Sequence, residues 1–324
     1  MMNTSGLLFA LLTTVSWSIG IFPFTEAAKR MGANPLNHFR LLLATILLVI
    51  LAIAADPFGF SDLFSTDRQQ AWIWLGLSGV VGLTVGDYFG FAMFAILGPR
   101  TGSVLTTFAP GAALAVGIFL TGDKLSLTGI IGMAVTIFGV IAISLSRSER
   151  DSIPESRHGS LLKGIIFGVL AAFCQGAGLA LAKMGLLPSF EGQKDVHPFQ
   201  ATFIRMAIAT GSLFLLTTLQ GKWSVLMPSF RGEGRSGMKY AILGTLFGPV
   251  IGVSLSLATV ARLEASVAQT VFSLVPVCVL LITLAYHKQP LRWQTGVGVF
   301  VAVAGVIVLV WRDKIEDMFH QLIS

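Results

Sequence analysis

Charge is what this sequence most conspicuously lacks. Only 12% of its 324 residues are Asp, Glu, Lys or Arg, against about 25% in ordinary soluble domains. With 54% hydrophobic residues and a mean hydropathy of +0.80, the chain cannot cover itself with water-facing side chains. It is read as an all-α integral membrane protein. Cysteine is almost missing too: Cys174 and Cys278 are the two, and both fall inside apolar segments. Two isolated thiols build neither a disulfide framework nor a zinc site, and they read as small packing residues. The five histidines stand at segment ends or in loops. No His, Cys, Asp and Glu group has metal-ligand spacing, so no metal or other cofactor is expected. A GxxxxGK[ST] loop is lacking, which gives no sign of direct ATP hydrolysis. The net charge of +6 comes from basic residues near segment ends and in loops, a placement that orients a protein in a bilayer rather than one that grips nucleic acid.

What the sequence has in quantity is long apolar runs. Crossing about 30 Å of hydrocarbon takes roughly 20 helical residues, and ten such segments can be drawn: 6–26, 36–55, 71–95, 101–120, 126–146, 161–183, 198–219, 238–260, 264–285 and 293–311. A membrane barrel would alternate apolar and polar residues over strands of about ten, whereas these runs are continuous. The first run follows Met1-Met2-Asn3-Thr4-Ser5, which has no Lys or Arg, and it continues to Glu26 without a convincing cleavage site. It is therefore taken as the first helix rather than a secretory signal.

The chain repeats itself. A shift of 166 places Ser78, Gly82, Gly86 and Gly90 on Gly244, Gly248, Gly252 and Ser256, so a four-residue-spaced groove of small side chains occurs twice. The same shift puts Pro110 on Pro276, Gly132 on Gly298 and Gly139 on Gly305, and a shift of 165 puts Arg40, Ala44 and Thr45 on Arg205, Ala209 and Thr210. The first helix aligns more loosely, Met31-Gly32 on Met184-Gly185, with the loop Pro188–His197 absorbing the difference. The expected organisation is thus residues 1–146 as a first repeat, a polar linker 147–159, residues 160–311 as a second repeat, and a short polar tail 312–324. Five helices per half is an odd number. The second half must then enter the membrane from the opposite side, giving ten transmembrane helices as two inverted five-helix repeats.

At this point the sequence resembles the EamA-type members of the drug/metabolite transporter superfamily. The resemblance covers nearly the whole chain. It is carried by the repeat layout, by Leu97-Gly98-Pro99-Arg100-Thr101-Gly102-Ser103-Val104, by Pro110, and by Phe119-Leu120-Thr121-Gly122-Asp123-Lys124-Leu125-Ser126 followed by Gly129 and Gly139-Val140. It implies transport of a small metabolite such as an amino acid, a related metabolite or a drug-like solute. Two departures stand out. The acidic residue usual after the glycine ending the fourth helix is Asp123 in the first half but Gln289 in the second, and the mid-helix glutamate of the small four-helix relatives is replaced by Ser16-Trp17-Ser18. Coupling of protons through the first helix is therefore not supported.

Asp87 is the acidic residue well inside a predicted span, roughly 6 Å from its midpoint by helix rise, and Val253 occupies the matching place in the second repeat. A carboxylate at that depth costs several kcal/mol unless it is paired, protonated or hydrated. It reads either as a proton-binding or substrate-anchoring group, or as structural polar glue. Arg40 lies about 5 Å away along the helix axes, within reach of an ion pair. Arg205, its repeat counterpart, has no carboxylate at the matching point; it either snorkels to the interface or faces a cavity where an anionic group could meet it. Gln175, Gln269, Ser103 and Thr107 are further polar candidates, and Trp17 and Tyr88 are candidate pocket walls. Pro110 and Pro276, in the middle of their segments, break helix hydrogen bonds and are expected as a pair of hinges.

The function read from these features is a secondary active transporter working by alternating access, with protons as one coupling ion open to it through Asp87. Its partners are the lipid bilayer and a small-molecule substrate, without nucleic acid, and its state a monomer or homodimer. Its place is a multi-pass position in a bacterial-type cell membrane. A membrane-embedded enzyme on lipid-borne substrates would need paired catalytic groups, and beyond Asp87 no such constellation appears; a passive channel is the other rival. The excess of Lys and Arg after odd-numbered helices places both termini outside, while the family resemblance implies both inside. Reporter fusions to the C-terminus separate the two orientations.

Overall fold

A computed structural model describes residues 3–122, 124–144, 160–187, 195–227, 232–287 and 293–323. Among these residues the chain is helices and short turns, with no strand. The polar linker 147–159 and the residues Asp123 and Gln289 lie outside the described residues.

Among the described residues, seven helices are long and apolar enough to cross a membrane: Thr4–Met31, Ala33–Ala55, Thr66–Phe94, Leu161–Leu186, Pro198–Leu219, Gly234–Val260 and Ala265–Ala285. The pair Gly296–Val310 and Arg312–Met318, bent by 70°, makes an eighth if counted as one span. Thr106–Leu120 and Leu127–Ala142 are apolar but shorter, reaching roughly 22–24 Å by helix rise, less than the ~30 Å of hydrocarbon. Each of the ten expected segments is largely helical over its described residues, but by length and composition the spans among those residues number seven or eight. The tail is helical as well, over Arg312–Ile323.

Local chemistry explains the boundaries. Asn3 caps the first helix by accepting from the Gly6 N–H, and Gly32, at φ 89°, ends it where a side chain would be strained. His197 and Gln200 form a reciprocal cap on Pro198–Leu219. Within Asp87–Leu105 the helix turns back on itself. A Cβ at Gly102 would lie 2.5 Å from the Phe94 ring, although eight residues of straight helix separate two positions by about 12 Å; Gly98-Pro99 lies between them.

The two small-residue grooves each receive a long helix. Ser78 Oγ donates to the Gly178 carbonyl, a Cβ at Gly86 would lie 2.9 Å from Cys174 Cβ, and one at Gly90 would lie 3.9 Å from Ala171 Cβ. Residue numbers rise on one helix as they fall on the other, so Leu161–Leu186 runs antiparallel along the first groove. Thr4–Met31 lies antiparallel along the second, with Phe24 over Gly244 and Gly248, Trp17 against Gly252, and Ser16 Oγ 2.6 Å from the Phe247 carbonyl. The first groove thus admits backbone, and the second is filled by aromatic rings. Leu127–Ser144 and Trp293–Val310 also cross antiparallel: Cβ atoms at Gly132 and Gly139 would lie 2.9 Å from the carbonyls of Gly305 and Gly298. Thr45 and Thr210, matched by the repeat, meet hydroxyl to hydroxyl at 2.9 Å.

Both grooves contain a π-helical stretch, Val80–Gly86 and Leu246–Val253. The second includes Pro249, whose missing N–H suits a helix already out of α register.

Gly79 faces the Arg205 backbone without room for a Cβ, whereas Gly90 has ordinary contact distance to Ala171. Gly79→Ala is expected to cost about 2 kcal/mol through overpacking, and Gly90→Ala about 0.5 kcal/mol or less. Thermal unfolding of the purified variants in detergent checks this, with Gly79→Ala melting several degrees lower; equal melting temperatures would contradict the packing described.

Candidate solute site

A cavity of about 190 Å³ lies in the interior of the bundle. Its polar lining includes Arg40, Asp87, Gln175, Gln269 and Ser273. Trp17, Phe24, Phe91, Phe94 and Phe272 line it as well, so the lining comes from helices at both ends of the sequence. Trp17 and Phe272 meet edge to face at 5.0 Å between ring centroids.

The charged side is built on the first π stretch. A helix wound with i→i+5 bonds releases carbonyls from the usual ladder, and such turns occur often at functional sites. Here side chains take those carbonyls: Gln175 Nε2 donates to Gly82 O at 3.3 Å, and Asn37 Nδ2 stands 3.4 Å from Leu83 O. The residue after the π stretch is Asp87. Its Oδ2 pairs with Arg40 Nη2 at 2.5 Å, and its Oδ1 accepts from Gln175 Nε2 at 2.6 Å. Arg40 Nη2 also donates to Asn37 Oδ1 at 2.9 Å, and its guanidinium carbon lies 5.2 Å from the Phe91 ring centroid and 5.9 Å from that of Phe24. The ion pair expected from helix rise is therefore present, with Arg40 only 3% exposed. Isolating either charge in this setting is expensive.

Arg205 does neither of the two things expected of it. It is 4% exposed, so it does not snorkel, and it does not line the cavity. It stands one layer behind, where a Cβ at Gly82 would lie 3.4 Å from its Nη2. Its Nε is buried with no partner among the described residues. Carried on Pro198–Leu219, it approaches the π stretch from behind while Arg40 approaches Asp87 from the cavity.

Of the remaining candidates, Trp17, Gln175 and Gln269 line the cavity. Thr107 is fully buried away from it, and its neighbour Thr106 lines it instead. Tyr88, next in sequence to Asp87, is 42% exposed on the outside of the bundle and stacks edge-on against Phe89. The Ser103 side chain lies outside the described residues. Pro110 and Pro276 are not mid-helix kinks. Each stands in the first turn of a new helix, Ala109–Leu120 after the 3-10 turn Thr106–Phe108 and Val275–His287 after the Ser273–Leu274 turn. A proline there forfeits no hydrogen bond, so the interruption precedes the proline rather than being caused at its carbonyl partner.

Sequence reasoning missed Asn37 and, among the phenylalanines, Phe24. Asn37 was legible in principle, as a polar residue three before Arg40 and so on the same helix face. The phenylalanines carried no signal that set them apart from lipid-facing ones.

Membrane-length helices around an internal cavity with a buried charge pair define a multi-pass integral membrane protein with a solute-sized interior site. The EamA-like transporter family matches residues 4–145 and again residues 162–311. The chain belongs to that family and is a membrane transporter. An uncharacterized transporter, YetK of Bacillus subtilis (strain 168), is 22% identical over 293 residues, covering 87% of this chain and 80% of the relative. A solved crystal structure superposes with a TM-score of 0.66 at 13% identity, covering 94% of this chain and 96% of the other. That likeness concerns the fold alone.

Removing one partner of a buried pair strands the other charge, at a cost of about 3–5 kcal/mol. Arg40→Ala is therefore expected to lower folded stability sharply in detergent, and Asp87→Ala likewise. The double variant is expected to be more stable than the sum of the two losses predicts. Strict additivity in thermal melts would show that the two charges do not depend on each other.

Proposed function

We propose that the protein is a secondary active transporter that carries a small metabolite by alternating access between two inverted halves. The halves are residues 1–146 and 160–311, each contributing five membrane helices, joined by the linker 147–159 and followed by the tail 312–324. One observation carries this reading: the cavity is walled by residues from both family-matching segments, Arg40 and Asp87 from the first and Gln175 and Gln269 from the second. A site shared between two bodies opens to alternate sides when the bodies rock against each other. The antiparallel pairings of matched elements and the 2.9 Å contact between the matched threonines fit a twofold relation between the halves. The two short apolar helices then cross with the help of their neighbours and local bilayer thinning.

In this scheme the breaks before Pro110 and Pro276 are the joints about which the broken helices flex. Asp87 is the proton-coupling group: its charge is held by Arg40 and Gln175, and protonation would loosen that hold during the transition. Among the described lining residues the carboxylate is Asp87, already engaged by two donors, which suits a binding role.

Counterflow in proteoliposomes tests the proposal. A labelled solute outside is expected to accumulate transiently in vesicles loaded with the unlabelled solute, which a passive channel does not support. Uptake is also expected to be stimulated by an imposed pH gradient in the wild type, and Asp87→Asn to lose that stimulation when normalised to its own counterflow. A variant stimulated as fully as the wild type would refute coupling through Asp87.

A further inference from the structure

We propose that the cavity takes a solute with one anionic group, a carboxylate foremost, on an apolar body about the size of one ring. The inference rests on the transport reading of the same cavity and narrows its cargo.

The first support is the balance of charge. The charged side chains set on or directly behind the cavity wall, among the described residues, are Arg40, Asp87 and Arg205. Glu26 does not enter the sum, being held by Arg30 at 2.6 Å on the exposed part of its helix. One carboxylate faces two arginines, and arginine does not lose its proton in proteins. The site therefore carries one positive charge in excess, in a setting of low dielectric where such a charge acts over several ångströms.

The second support is the state of the donors and acceptors. Both oxygens of Asp87 already accept strong hydrogen bonds, so the carboxylate is a poor anchor for an incoming amine. The donors are not used up: Arg40, on the cavity wall, has an Nε buried without a partner among the described residues. Gln269, 7% exposed and also lining the cavity, has a buried Oε1 with no donor among the described residues. Turning its carboxamide would present N–H groups there instead, so it can bond a second polar atom of the solute in either sense.

The third support is shape. Trp17, Phe24, Phe91 and Phe272 give the walls flat apolar faces. The volume of about 190 Å³ exceeds the ~150 Å³ of an apolar cavity that accommodates benzene. An arginine flanked by aromatic rings, as Arg40 is by Phe24 and Phe91, suits a planar carboxylate that it can hold through two N–H groups.

Three probes of one skeleton separate the charges: 3-phenylpropanoate, its neutral amide, and 3-phenylpropylamine, each titrated into the full chain in nanodiscs and followed by calorimetry. The expected result is binding of the carboxylate about tenfold tighter than the amide, with the amine weakest. Arg205→Gln is expected to shrink the preference for the carboxylate to about threefold or less. Should that variant not fold, Asp87→Asn, which adds one positive charge to the site, is expected to tighten carboxylate binding. Preference for the amine or the amide, or no binding of any probe at millimolar concentration, overturns the assignment. Counterflow keeps the two readings apart. A carboxylate that binds with this preference but is never exchanged across proteoliposomes removes the transport reading and leaves the anion site. Exchange confined to neutral or cationic solutes does the reverse.

Discussion

Close approach of helix backbones is the constraint on which the rest of this structure depends. Inside a bilayer, helices gain nothing by hiding apolar surface from lipid, so they associate where shape lets them touch. The sequence supplies that shape at Ser78, Gly82, Gly86 and Gly90 and again at Gly244, Gly248, Gly252 and Ser256. Each groove accepts a helix from the other family-matching segment: Leu161–Leu186 in the first, Thr4–Met31 in the second. This exchange puts Gln175 beside Asp87 and Trp17 beside Gly252, and the cavity lies between the two exchanged helices.

The grooves differ, and the difference sets the character of the cavity. In the first, backbone meets backbone, and the carbonyls released by the π stretch are taken by Gln175 and Asn37. The polar side chains recruited for that purpose also grip Asp87 and Arg40. Satisfying the backbone and holding the ion pair are thus one network, in which each member restrains the others. In the second groove Phe24 and Trp17 fill the space left by glycine. The cavity consequently takes its ion pair from the first groove and aromatic rings from the second, and Phe24 stands 5.9 Å from the Arg40 guanidinium.

Much of this was written plainly in the sequence. Continuous apolar runs dictated helices, and the recurrence of Gly and Pro at one fixed offset revealed the repeat. Simple helix rise put Arg40 within reach of Asp87, because axial distance along parallel rods is a one-dimensional quantity. What escaped depends on rotation about the helix axis. Tyr88 follows Asp87 in sequence but points outward, and Thr107 is hidden while Thr106 lines the cavity. Arg205 was misjudged for a related reason: its surroundings are set by a helix from the other segment, about which its own stretch of sequence is silent. Segment length misled as well. Thr106–Leu120 is shorter than the expected segment because it begins at the 3-10 turn Thr106–Phe108, and the residues before that turn belong to the helix Asp87–Leu105; hydropathy does not register such a break.

The π stretches bear on how such a site arises. An extra residue wound into a helix swings everything beyond it by about 100°, the angle each residue subtends. Asp87 is the first residue after Val80–Gly86, so the direction in which its carboxylate points is fixed by a length change upstream rather than by its own identity. The second stretch, Leu246–Val253, falls at the matching position in the other half, where the residue aligned with Asp87 is Val253. An insertion common to both halves is most simply older than the duplication that produced them. The winding common to both halves brings both positions to the cavity wall, one as the charged Asp87 and the other as the apolar Val253.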